Sequence, residues 1–198
     1  VDGLSAVGAV AVSAVGAAKA AVVFVLSGWR AAFFARVLAT MNALSPCGAA
    51  DVACVEQHEH AASVIASVAL KDPNPEDAAA RLLGAGAHET GFRTKLQKNG
   101  PAVSWFQLEV PNRPFYLAND VDAARRALGI ARMCRGSMIG YASGNCGSKD
   151  WRVLDTARQL RGCIESARRG GTWKCSNLVP KPPPKPKKGK ARKGKRTS

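Results

Sequence analysis

Apolar residues recur at helical spacing along five stretches of the chain, and turn chemistry separates them. Residues 1–40 are rich in Ala and Val, with Lys19, Arg30 and Arg36 as the only cations. Between residues 52 and 70, Val55, Ala62, Ile65, Val68 and Ala69 fall on one side of a helix. Asn74-Pro75-Glu76-Asp77 then breaks and restarts the chain. Asn suits an N-cap, Pro the first helical position, and the two acids the positive helix end. The helix predicted over 75–89 carries Ala78, Leu82, Leu83, Ala85 and Gly86 on its apolar side. Gly84 and Gly86 weaken it, and close packing against a neighbour is the reason to expect them there. Asn119 or Asp120 caps a further helix to about residue 133, with Val121, Ala124, Leu128 and Ala131 together. Arg125, Arg126 and Arg132 lie on its other faces and read as solvated charges. After a loop at 144–147, Asp150 opens a last helix to about residue 167. Its stripe of Trp151, Leu154, Ala157, Leu160 and Ile164 is read as core.

The ends differ from this body. Residues 8–29 contain one charge, Lys19, over a length that reaches across a bilayer. Ala and Gly contribute little hydrophobicity, the strongest run (20–26) is short, and Asp2 does not suit a basic export start. Three readings of the apolar segment over 1–45 stand: a weak membrane segment, an uncleaved export-like segment, or a buried or self-associating helix, with membrane contact the favoured expectation. At the other end, the chain has 29 Lys and Arg against 14 Asp and Glu, a formal +15. Nine of those cations and no acid lie from Lys181 onward, which leaves +6 on the rest. Residues 177–198, rich in Pro and Lys, have almost nothing apolar to bury and read as a disordered basic tail. Such a tail binds polyanions, DNA or an anionic envelope, in a salt-sensitive way. One domain is left, over 46–176.

Six cysteines stand at 47, 54, 134, 146, 163 and 175 without a CxxC pair. An even, loosely spaced set fits disulfides in an oxidising compartment or a virion. Cys134 with Cys146 and Cys163 with Cys175 are local candidates, and spacing alone leaves the connectivity open. His58 and His60, within Glu56-Gln57-His58-Glu59-His60, are two apart and point to different helix faces. A solvated polar helix start is the better reading, and no metal site is expected.

Candidate chemistry centres on His88-Glu89-Thr90-Gly91-Phe92-Arg93. Here a carboxylate ends an apolar helix and an aromatic follows. A glycine-led turn, Gly100-Pro101-Ala102-Val103-Ser104-Trp105-Phe106-Gln107-Leu108, lies just beyond it. One acid set against the apolar surface of Leu83, Phe92 and Phe106 suits protonation of a glycosidic oxygen. The first segment resembles the Glu-Ser-x-Phe motif of soluble lytic transglycosylases and goose-type lysozymes, with Thr90 in place of Ser. The second is similar to that family's glycine-led turn ending in an aromatic and Gln, although Ala102-Val103-Ser104 departs from its small-residue pattern. Tyr141-Ala142-Ser143-Gly144 resembles its Tyr-x-x-Gly element. The likeness runs over residues 52–168 with the three motifs in order.

The resemblance implies a mainly α, lysozyme-like α+β fold of five to seven helices with a small β or irregular lobe, here 95–116. It implies peptidoglycan glycan strands as substrate, in the periplasm, cell envelope or a phage virion, and no metal or cofactor. Glu89 is the implied catalytic residue, acting first as acid and then as base. The muramic acid 6-hydroxyl then closes a 1,6-anhydro ring. Thr90, Ser104, Phe106, Gln107 and Tyr141 are the expected substrate-binding residues. Gln107 reads equally as a structural amide. Other acids between Glu89 and Tyr141 are Glu109, Asp120 and Asp122. A hydrolytic lysozyme would use Asp120 or Asp122 to position water. A non-catalytic glycan- or polyanion-binding protein is the remaining alternative.

Overall fold

The computed structural model describes residues 14–171 and Cys175, with side chains from residue 28 onward. Seven α-helices run in chain order: α1 (Ala14–Leu44), α2 (Val52–Ala69), α3 (Pro75–Glu89), α4 (Arg113–Ala118), α5 (Asp120–Arg132), α6 (Ile139–Ser143) and α7 (Trp151–Arg168). A short 3-10 turn, Met133–Gly136, joins α5 to α6. The fold is mainly α, and no strand occurs among the described residues.

Helix α3 is the centre of the packing and touches α1, α2, α5 and α7. Its start is built as the sequence predicts: the Asn74 side chain accepts a hydrogen bond from the Asp77 amide at 3.2 Å, and Pro75 holds the first position. Its two glycines let neighbours come close. A Cβ at Gly84 would lie 2.6 Å from the Ile164 backbone nitrogen in α7, and one at Gly86 would lie 2.2 Å from the Phe92 ring. Ala78, Ala79, Ala80, Ala123, Ala124 and Ala127 are buried around it, so the core is held by short side chains at close range. Asp51 and Asp150 cap α2 and α7 through bonds of 3.0 and 2.9 Å to the Cys54 and Arg152 amides.

Packing and pairing redraw parts of the sequence reading. The apolar segment ends near residue 45 as expected, but it is not separate: Phe33, Val37, Met41 and Leu44 of α1 are buried in the common core. The second half of α1 therefore belongs to the domain assigned to 46–176, because its apolar face meets α2, α3 and α7. No helix among the described residues is long and apolar enough to cross a membrane. The stripe of α7 is core only in its second half; Trp151 and Leu154 are exposed, as is Val55 of α2. Arg132 is not simply solvated, since it grips both oxygens of Asp72 at 2.6 and 2.7 Å.

The segment 95–116 is an irregular lobe that runs into α4. Only isolated antiparallel bridges occur in it, Val103 pairing with Leu96 and with Leu108. Three disulfides, Cys47–Cys54, Cys134–Cys146 and Cys163–Cys175, take up all six cysteines. Both local pairs suggested by the sequence are present. Residues 1–13 and 176–198, which hold part of the apolar segment and the basic tail, lie outside the described residues.

Candidate functional site

Glu89 is the last residue of α3, and its side chain is 23% exposed at the edge of the core. His88 Nδ1 stands 3.3 Å from its Oε1. Thr90 closes the helix: its amide donates to the Gly86 carbonyl at 3.1 Å. Its hydroxyl donates to the Trp105 carbonyl at 3.0 Å and accepts from the Phe92 amide at 3.1 Å. Gly91 and Phe92 are consecutive left-handed residues, with φ of 58° and 59°. That turn swings the Phe92 ring back into the core against Gly86, and a left-handed Phe persists only where its surroundings hold it.

The glycine-led segment folds into a tight loop under the same constraint. Val103 and Leu108 exchange backbone bonds of 3.1 and 2.8 Å, and between them Ser104 and Gln107 are left-handed (φ 67° and 48°). The Ser104 hydroxyl accepts from the Phe106 amide at 3.3 Å, and Gln107 Nε2 donates to the Ser104 carbonyl at 3.1 Å. Tyr141, on the short α6, donates from its hydroxyl to the Phe106 carbonyl at 2.7 Å. Burial, reinforced by the negative charge of Glu89, holds the Tyr141 phenol well above its ordinary pKa. It is therefore a neutral donor at every physiological pH.

The three sequence segments thus meet: Thr90 ties the first to the second, and Tyr141 ties the second to the third beside Glu89. Their side chains divide differently from the expectation. Ser104 and Phe106 are fully buried and shape the loop, so neither offers a surface to a polymer. Thr90 has its hydroxyl occupied by backbone partners. Gln107 and Tyr141 are half-buried, with Gln107 closing its own turn.

The other acids are engaged elsewhere. Asp120 takes Lys95 Nζ at 2.6 Å and His60 Nε2 at 2.9 Å, while Asp122 pairs with Arg125 at 2.9 Å. Lys95 in turn sits 4.6 Å above the Trp105 ring. Glu109 is exposed. His58 departs most from the expected solvated helix start. It is fully buried, between the Cys47–Cys54 bridge and the Gly91 carbonyl, and burial lowers its pKa. The informative spacing was Cys54 to His58, four apart on one helix face, rather than His58 to His60. Ligand atoms of Cys47, Cys54 and His58 lie within 4.8 Å of one another, but the two sulfurs are joined and offer no thiolate to a metal.

A cleft of about 410 Å³ opens beside the corner, lined by Ser45, Pro46, His88, Thr90, Gly91 and Arg93 among others. No known protein family matches the chain, and neither a curated protein nor a solved structure matches it.

Proposed function

We propose that this chain is a peptidoglycan lytic transglycosylase that cleaves the MurNAc–GlcNAc β-1,4 bond, with Glu89 as its one catalytic carboxylate. The observation that carries the reading is the meeting of the three motif segments around the end of α3, two of them held in left-handed backbone. Strain of this kind, held by its surroundings, is characteristic of sites that fix a reacting group. Supporting it, Asp120 and Asp122, the acids a hydrolytic lysozyme would use to position water, are each committed to ion pairs.

In this reading Glu89 protonates the glycosidic oxygen and the leaving GlcNAc departs. Positive charge develops at the muramic C1 and its ring oxygen. The Glu89 carboxylate then takes the proton from the muramic 6-hydroxyl as that oxygen bonds to C1, which restores the acid and gives the 1,6-anhydro end. Tyr141, neutral and bonded to the Phe106 carbonyl, holds the second and third segments together beside Glu89. The fully paired cysteines fit an oxidising setting, a cell envelope or a virion. The basic tail is the part suited to an anionic polymer of that setting.

The test is clearing of purified peptidoglycan by wild type and Glu89→Gln, with sedimentation of each protein on the same material. Wild type should clear it, while Glu89→Gln should bind and leave it intact. Binding by both proteins without clearing by either would replace the enzyme with a glycan-binding protein.

A further inference from the structure

Glu89's corner is braced from behind by a second layer with no place in the resemblance. The Gly91 carbonyl, one residue past Thr90, receives the Ser45 hydroxyl at 2.8 Å and faces His58 Nε2 at 3.4 Å. Arg93, just after the turn, donates to the Pro46 carbonyl at 3.1 Å. Residues 45–47 form the link that leaves α1, and the Cys47–Cys54 bridge pins this link to the first turns of α2.

His58 lies where these parts converge. Its Nδ1 is 2.8 Å from Asn42 Oδ1 and 3.5 Å from Cys47 Sγ, and its ring meets Phe92 edge-on at 6.0 Å. With Nε2–H donating to Gly91, Nδ1 is the acceptor, and a half-turn of the Asn42 amide presents its N–H to it. A fully buried imidazole is expensive to keep for packing alone, because each unpaired ring nitrogen costs about 1–3 kcal/mol. An apolar side chain of similar size would fill the space without that demand. What the imidazole adds is a donor aimed at the carbonyl of a left-handed glycine. At that glycine a Cβ would already stand 2.8 Å from Ser45 Oγ.

We propose that His58 is a positioning residue for Glu89: held by Asn42 and the Cys47–Cys54 loop, it fixes the Gly91–Phe92 turn and so the direction of the carboxylate that ends α3. The proposal rests on Glu89 being the catalytic acid, and one of its tests is independent of activity. His58→Leu removes the donor and keeps the bulk, whereas His58→Gln retains an N–H near the same place. Hydrogen exchange of the 89–93 amides should speed up in His58→Leu, return toward wild type in His58→Gln, and stay unchanged in α5 and α7. On peptidoglycan, His58→Leu should lower kcat up to about 100-fold with KM within about twofold, the signature of a misplaced reacting group.

Should His58→Leu lose its helical circular dichroism, Ser45→Ala takes its place, removing the other donor to Gly91 from a half-exposed loop. Unchanged 89–93 exchange in the folded variants would overturn the proposal. So would a global loosening that His58→Gln does not reverse, which would make His58 a packing residue only. If wild type shows no clearing while exchange changes as expected, the brace stands and the catalytic reading of Glu89 falls.

Discussion

At the scale of single residues, the glycines of α3 and α5 give predictions of opposite sign from the same substitution. Gly86→Ala drives a methyl into a fully buried Phe92 ring, and Gly84→Ala drives one into the backbone of α7. Each should destabilise the fold by about 2–3 kcal/mol in denaturant unfolding, as overpacked cores do. Gly129, inside α5, has nothing within 4 Å of the same methyl, so Gly129→Ala should stabilise by about 0.5–1 kcal/mol. Equal effects at all three would mean that helix propensity, rather than close approach, decides. The two α3 glycines were legible in the sequence because they interrupt a good helical pattern, and close contact is the physical reason to tolerate that. Ser104 and Phe106 were misplaced for the opposite reason. A polar or aromatic residue in a glycine-led turn looks available to a ligand, but left-handed Ser104 folds both side chains inward. His58 was missed because its partners, Cys47, Asn42 and Gly91, come from elsewhere in the chain.

At the scale of elements, periodicity located α2, α3, α5 and α7 to within about two residues but gave their burial only where each helix has a neighbour. The apolar stripe of α7 continues unbroken through Trp151 and Leu154, yet only Ala157, Leu160 and Ile164 of it are buried, so those two stay in solvent. For α1 a buried helix is one of three open readings, and the favoured one is membrane contact. An Ala- and Val-rich run reads as a separate apolar segment, and nothing local says that Phe33, Val37 and Met41 complete another core. The carrier of Tyr141, α6, has five residues and little helical strength of its own. Cys134–Cys146 spans it, and a Cβ at Gly140 would stand 2.6 Å from the Cys134 sulfur. Replacing both cysteines by Ser should lower stability by about 2–3 kcal/mol in urea unfolding, the entropy of closing a loop of this size. It should also reduce clearing activity more than the Cys163–Cys175 pair does when treated alike. Equal loss from the two pairs would remove α6 from the account of the site.

For the whole molecule, charge and chemistry are arranged in different parts of the chain. Nine of the 29 Lys and Arg follow residue 180, whereas the candidate site is built around one carboxylate at the end of α3. Removing residues 181–198 should leave the melting temperature unchanged and weaken binding to an anionic wall polymer. The loss should shrink as salt rises, the signature of binding driven by counterion release. Salt-independent weakening would place the polymer on the folded domain instead. The central claim concerns the bond cleaved and the atom that replaces the leaving group. It is tested most directly by mass spectrometry of the soluble products of purified peptidoglycan digested with wild type and with Glu89→Gln. The account predicts 1,6-anhydro muropeptides from wild type and none from Glu89→Gln. Products with reducing ends, one water heavier, would contradict it and require a second carboxylate beside Glu89.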